Sequence, residues 1–280
     1  MPKAAVLGSP IGHSLSPVLH NAGYRAAGLE GWSFERAEVT EETFAEFLAE
    51  AGEQYAGFAV TMPCKFAAFR AADTHSERAL ALGVANTLVR SEDGTLWAAD
   101  NTDVDGVRGA LAQLLPEAEG DALAAIRGAQ VAVTGSGGTA RTVVWTLAQL
   151  GAASIRVINR SDRLMELKDL VAGTATQLEY QPAADPQGVS RAAQDSLLVV
   201  STVPSAGIAH ILDELAQAPV FDVIYDPWPT PLVQRAQERN LPTVGGHIML
   251  AHQAFTQFEA ITGTPAPKEA MLEALQQALA

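Results

Sequence analysis

Hydrophobic and polar positions alternate between two periods along most of the chain. Short apolar runs at 4–8, 32–38, 57–61, 86–90 and 95–99 read as strands, the last two as a hairpin around Glu92-Asp93-Gly94. Helical spacing fills 16–27, with Pro17 at the start, then 41–51 and 104–115, and Pro63 opens a further helix. Residues 116–128 hold turn formers and a short second helix. Strands follow at 131–134, 154–158, 197–201, 220–225 and 242–244, with a helix at 142–150. The tail is helical over 249–262 and 268–279, and no internal repeat is present.

This order predicts an α/β protein of two domains. A complete nucleotide-binding half in the middle, preceded by a separate αβ region, points to a Rossmann dinucleotide-binding domain at 104–246. The substrate-binding and catalytic domain then covers 1–103. The C-terminal helices have no strand left to cover in the second domain, so residues 247–280 are expected to return to the first and brace a cleft.

The centre of the Rossmann reading is Val131-Ala132-Val133-Thr134-Gly135-Ser136-Gly137-Gly138-Thr139-Ala140, a β-branched run that ends in glycines and passes into a helix. Gly135 can turn tightly, Gly137 and Gly138 let backbone N–H groups approach a pyrophosphate, and Ala140 permits close helix–strand packing. Ser136 and Thr139 complete the turn. At the end of the next strand, where NAD-binding folds place an acid, this chain has Asn159-Arg160, with Arg163 three residues on. Guanidinium groups there pair with a 2′-phosphate, so NADP(H) is expected over NAD(H).

Composition narrows the partners. The chain has 280 residues, is 48% hydrophobic and carries a net charge of −14, which argues against nucleic acid or anionic membrane as a partner. One cysteine, Cys64, excludes a disulfide framework and a cysteine-rich zinc site. His247 and His252 do not stack on one helical face, so no metal is expected. No apolar run reaches membrane-spanning length, and the start lacks a signal peptide, so the expected location is the cytoplasm. Monomer and homodimer both remain open.

Several polar groups are candidates for chemistry. Lys65 falls in the first turn of a helix, where the dipole disfavours a cation and eases access to the neutral amine. Asp103 sits where the hairpin meets the next helix; it can cap that helix or pair with Lys65. The pairing requires 57–61 and 95–99 to end on the same side of one sheet. Ser14 and Ser16 lie at a loop-to-helix junction suited to a carboxylate, with Ser16 as an ordinary N-cap. Thr61 is a cap or a substrate contact, and Cys64 a packing residue. Asn86 offers an amide, Tyr225 lies at a strand's C-terminal end, and Gly245-Gly246 joins a flexible turn, a candidate hinge, to the tail helix with Met249 and Gln253.

Ser14-x-Ser16, Val60-Thr61-x-Pro63-x-Lys65, Ala85-Asn86-Thr87, Asn101-Thr102-Asp103, Gly135-x-Gly137-Gly138, Asn159-Arg160 and Met249-Leu250-x-x-Gln253 resemble, in this order, the motifs of the shikimate dehydrogenase family. The resemblance covers nearly the whole chain. It implies NADP-dependent reduction of 3-dehydroshikimate to shikimate, a step toward aromatic amino acids. Ser14 and Ser16 would hold the carboxylate, with Tyr225 nearby. Thr61, Lys65, Asn86, Asp103 and Gln253 would meet the ring hydroxyls, Lys65 and Asp103 would provide acid–base catalysis, and Gly246 and Met249 would join the cofactor-binding set. Ala59 and Ile248 stand where many members carry Asn and Gly. A quinate/shikimate dehydrogenase of broader specificity and a non-catalytic NADP-binding module are the alternatives.

Overall fold

The computed structural model describes residues 1–115 and 121–279. Two compact units emerge, Met1–Asp103 with Leu250–Ala280, and Val104–Met249. The part of the turn expected at 116–120 lies outside the described residues.

The first unit is built on strands β1 (Lys3–Gly8), β2 (Ser33–Glu38), β3 (Tyr55–Val60), β4 (Thr74–His75), β5 (Thr87–Arg90) and β6 (Trp97–Asp100), in the order β2-β1-β3-β5-β6-β4. Strand β1 pairs in parallel with β2 and β3, while β5 runs antiparallel between β3 and β6. Strands β3 and β6 therefore point the same way, and β5 starts at the edge where they end. The condition for bringing Lys65 near Asp103 is met by this register.

Both faces of the sheet are covered, and the strand period of two sorts the side chains between them. Ala4 and Val6 join Leu19, Tyr24, Phe258, Met271 and Leu275 on one side, under helices Ser16–Ala26, Gly246–Thr262 and Lys268–Leu279. Ala5 and Leu7 join Phe44, Phe58, Ala68 and Leu88 on the other. The C-terminal helices thus belong to the core of the first unit.

The second unit carries β7 (Gln130–Thr134), β8 (Ser154–Asn159), β9 (Gln177–Pro182), β10 (Val199–Ser201), β11 (Val220–Asp222) and β12 (Thr243–Gly245). All pairings are parallel and the order is β12-β11-β10-β7-β8-β9, the doubly wound arrangement of dinucleotide-binding folds. Its switch point falls between β7 and β10.

Some boundaries differ from expectation for identifiable reasons. The helix expected over 41–51 starts at Phe44, because Thr43 Oγ1 accepts the Thr40 N–H at 3.1 Å in a preceding turn. The strand expected over 220–225 stops at Asp222, whose Oδ1 accepts the Ile224 N–H at 3.2 Å. Ser16 is the first residue of its helix rather than the N-cap; Leu15 takes that place without a side-chain bond, and Ser14 Oγ accepts the Ser16 N–H at 3.4 Å. The flexible turn expected at Gly245-Gly246 is absent. Strand β12 abuts the helix Gly246–Thr262 directly, and a Cβ on Gly246 would lie 1.8 Å from the Val223 carbonyl oxygen, so glycine serves close approach there. That first turn stays with the second unit, and the tail joins the first from Leu250 rather than from 247. No helix among the described residues is long and apolar enough to cross a membrane.

Candidate functional site

The end of β3 leads through Thr61 to Lys65, the first residue of helix Lys65–Ala71, and the end of β6 leads to Asp103, the first residue of helix Asp103–Leu114. Lys65 Nζ donates to Asp103 Oδ2, and the two side chains are 15% and 8% exposed. That is enough burial to strengthen the attraction and enough access for a proton to be exchanged with water. A lysine at a helix start opposes the dipole, and the Asp103 carboxylate offsets that cost.

Asn86, just before β5, reaches the same edge. Its Nδ2 lies 3.0 Å from Asp103 Oδ1, 3.0 Å from Thr102 Oγ1 and 3.3 Å from Gln253 Oε1. Its Oδ1 accepts the Thr102 N–H at 2.7 Å and the Thr87 hydroxyl at 2.8 Å. Each oxygen of Asp103 thus has a different partner, and Asn86 has two hydrogens for three acceptors. The Gln253 side chain also donates to Leu250 O at 2.9 Å. Lys65, Asn86, Asp103 and Gln253 therefore form one connected group.

Thr61 lies beside this group in sequence and donates its N–H to Leu7 O at 2.9 Å. Cys64 is fully buried, its thiol donates to Val39 O at 3.1 Å, and burial together with Glu41 and Glu42 pushes its pKa up to about 11. It packs and is held in the thiol form.

Ser14 lies on the loop that follows β1, and Ser16 opens the helix after it. Two residues that sequence reasoning passed over hold this loop from β2. The Arg36 guanidinium donates to Ser14 O at 3.0 and 2.5 Å, and Glu38 accepts from Ser9 Oγ at 2.6 Å and from the Ile11 N–H at 3.1 Å. Their two-residue spacing places both on one face of the strand, but nothing in the sequence connects that face to the loop.

In the second unit, Gly135 adopts φ +91°, and a Cβ there would lie 2.7 Å from Val203 Cγ1 and 2.8 Å from Thr202 Oγ1. Gly137 caps the twelve-residue helix Gly138–Gln149 with no side-chain bond, and a Cβ on Gly137 or Gly138 would meet nothing within 4 Å. The space beside the start of that helix is thus open, where a pyrophosphate would meet its first N–H groups. Thr139 follows in the first turn, and Ala140 is fully buried against the sheet. Asn159 Nδ2 donates to Ser136 Oγ at 3.1 Å and ties β8 to the glycine turn.

A cavity of about 200 Å³ at the switch point is bounded by Gly135, Ile158, Asn159, Arg160, Val203 and Ile208, among others. Arg160 is exposed at its mouth, and Arg163 pairs with Glu166 at 2.5 Å. This combination of apolar wall, open helix start and cation fits a dinucleotide. Tyr225 follows β11, and Gly246 and Met249 open the last helix of this unit. His247 packs edge-on to Trp228 at 4.7 Å, and burial lowers its pKa. No group of three or more His, Cys, Asp or Glu among the described residues could hold a metal ion.

Comparison with known proteins gives a consistent picture. Residues 6–88 match the model of the shikimate dehydrogenase substrate binding domain, and 246–276 that of the shikimate 5′-dehydrogenase C-terminal domain. The chain is 38% identical over 274 residues to a protein of Methylobacterium radiotolerans named shikimate dehydrogenase (NADP(+)), covering 95% of this chain and 93% of that one. The crystal structure of Mycobacterium tuberculosis shikimate dehydrogenase superposes with a TM-score of 0.86 at 43% identity, over 99% of this chain and all of the other. A shikimate 5-dehydrogenase from Mycobacterium fortuitum gives 0.84 at 44% identity, over 98% of this chain and 97% of that one. With this coverage, and with the motifs standing on the elements described above, the chain belongs to the shikimate dehydrogenase family.

Proposed function

We propose that this chain is an NADP-dependent shikimate dehydrogenase that interconverts 3-dehydroshikimate and shikimate, with Lys65 and Asp103 handling the proton. The observation that carries this reading is the Lys65–Asp103–Asn86–Gln253 group at one edge of the sheet. The relatives bearing the name shikimate dehydrogenase (NADP(+)) favour this reading over a quinate/shikimate dehydrogenase of broader specificity.

Reduction of a ketone builds negative charge on its oxygen, and that charge must meet a cation or a proton. Lys65 Nζ provides both. In the reducing direction it gives its proton to the oxygen as the new C–H bond forms at carbon, and it regains a proton from water. In the oxidising direction the neutral amine takes the hydroxyl proton as the carbonyl forms. Asp103 Oδ2 steadies the ammonium, while its other oxygen stays with Asn86. When bound, NADPH supplies the hydride and NADP+ receives it.

Ser14, on a loop fixed by Arg36 and Glu38, and Ser16, at the start of the next helix, hold the substrate carboxylate. Thr61, Asn86 and Gln253 hold the ring hydroxyls. Gln253 Oε1, the longest of the three contacts to Asn86, is the acceptor most easily taken over by a hydroxyl. Together these bonds fix the ring and reduce the entropic barrier. Gly135, Ser136, Gly137, Gly138, Thr139 and Ala140 seat the pyrophosphate, with Asn159 bracing the turn, and Gly246 and Met249 complete the cofactor side. Arg160 takes the 2′-phosphate, joined by Arg163, whose pair with Glu166 is exposed and weak. The lone buried thiol suits a reducing compartment, the cytoplasm.

The test is direct. Purified protein is mixed with NADP+ and shikimate, and absorbance is followed at the reduced nicotinamide band. A rise with shikimate, larger with NADP+ than with NAD+, is the expected result. No rise, or equal use of the two cofactors, contradicts the reading.

A further inference from the structure

Behind the Lys65–Asp103 pair lies a second glutamine, Gln257, one helical turn beyond Gln253 and 1% exposed. Its Nε2 is 3.0 Å from Asn86 O and 3.0 Å from Thr87 Oγ1. A carbonyl oxygen can only accept, so the amide nitrogen must face Asn86 and the amide oxygen must point away. With Gln257 donating to it, the Thr87 hydroxyl turns its own hydrogen to Asn86 Oδ1 at 2.8 Å. That bond and the Thr102 N–H fill the Asn86 oxygen, and the Asn86 NH2 is left facing Asp103 Oδ1. A continuous chain of hydrogen bonds thus runs from Gln257 through Thr87 and Asn86 to Asp103 and Lys65.

The far side of Gln257 is also unusual. Its Oε1 and both ring nitrogens of His20 are buried with no partner at full hydrogen-bond geometry. His20 is fully buried, stacks on Phe34 at 4.1 Å and lies beside Phe258 at 6.3 Å. Burial pushes its pKa down to about 3, and its proximity to Gln257 offsets part of that. The neutral ring has one N–H to offer and Gln257 Oε1 is the acceptor beside it. A buried polar pair in an aromatic pocket is costly unless its two members bond one another.

We propose that Gln257 is a positioning residue for the Lys65–Asp103 pair, and that the buried His20 ring fixes which way its amide faces. The proposal rests on the dehydrogenase reading above. Gln257 touches neither Lys65 nor Asp103; it acts through Thr87 and Asn86. The charged or titratable groups along and beside the chain are Lys65, Asp103, His20 and Tyr24, whose ring lies 6.2 Å from that of His20.

The experiment compares the full chain with Gln257→Met and Gln257→Glu, using kinetics across pH, thermal melting and the side-chain amide resonances of Asn86. Misplacing a catalytic group from a distance costs up to about 100-fold, so Gln257→Met is expected to lower kcat by about 10- to 100-fold and to move the KM for shikimate far less. In Gln257→Glu, the neutral carboxylic acid regains one hydrogen to donate to Asn86 O. Its kcat relative to the parent is therefore highest at low pH and falls as the pH rises through the carboxyl's pKa, which burial raises, while the Gln257→Met ratio stays flat. A merely structural role would change melting without that pH-dependent rescue. Gln257→Met with kcat within about twofold of the parent, or a flat ratio for Gln257→Glu, overturns the proposal. If Gln257→Met does not fold, Gln257→Glu alone decides. Should the parent be inactive with shikimate, the dehydrogenase reading falls instead, and unmoved Asn86 resonances in the variants would still overturn the positioning role.

Discussion

At the residue scale, the buried His20 gives the clearest pH dependence. Its pKa falls from 6.5 to about 3 because burial penalises the charged ring, with Gln257 acting the other way. Between these values the unfolded chain binds a proton that the folded chain does not. Stability is therefore full above about 6.5 and declines as the pH falls through that window, with a limiting slope of about 1.4 kcal/mol per pH unit. His20→Phe, which keeps the stack on Phe34, is expected to remove this component. Denaturant melts of parent and variant at several pH values check it; parallel pH dependence contradicts it. Lys65 and Asp103 were legible as separate motifs because each stands where a strand meets a helix. Gln257 and His20 were not, since a polar side chain on an amphipathic helix reads as solvated until its neighbours are known. Arg36 and Glu38 stayed hidden for the same reason, as an ordinary charged strand face.

At the scale of single elements, the glycine turn after β7 was readable from its residues alone, because few other sequences combine a β-branched run, three glycines and a helix. The structure adds the reason for Gly135: positive φ and the near approach of Val203 and Thr202. Gly135→Ala is expected to lose about 1–2 kcal/mol from backbone conformation, with a further loss from the contacts. NADP+ affinity should fall as well, since the turn is displaced. Calorimetric melting and cofactor titration check both; unchanged values contradict the account of the turn. Strand β9 was missed because it is an edge strand, bonded only to β8, with polar residues at Gln177, Glu179 and Gln181. The helix Glu77–Leu82 was missed for its length, although its signals are present. Ser76 accepts the Ala79 N–H, and Gly83 ends the helix at φ 66°. Ser76 Oγ also donates to Asp100 Oδ1 at 2.6 Å, so the cap is tied to the strand leading to Asp103.

At the scale of the whole molecule, a chain of net charge −14 that handles two anionic ligands must concentrate its cations where they bind. Arg160 stands exposed at the mouth of the switch-point cavity. A hydrogen bond to a charged group contributes about 1.5–3 kcal/mol, so Arg160→Ala is expected to cut the preference for NADP+ over NAD+ by about 10- to 100-fold. The ratio of catalytic efficiencies checks this, and an unchanged ratio would remove Arg160 from 2′-phosphate recognition. The doubly wound second unit and the return of the C-terminal helices followed from element order, because parallel strands need helical crossovers. The mixed topology of the first sheet did not follow, since its antiparallel insertion of β5 depends on pairing partners far apart in sequence.

The most direct measurement is the steady-state kinetics of Lys65→Ala with shikimate and NADP+. A general acid–base group contributes at least about a hundredfold, so kcat should drop by that factor while the KM for shikimate changes little. A kcat close to that of the parent would mean that the proton travels by another route and that the Lys65–Asp103 pair is not the catalytic one.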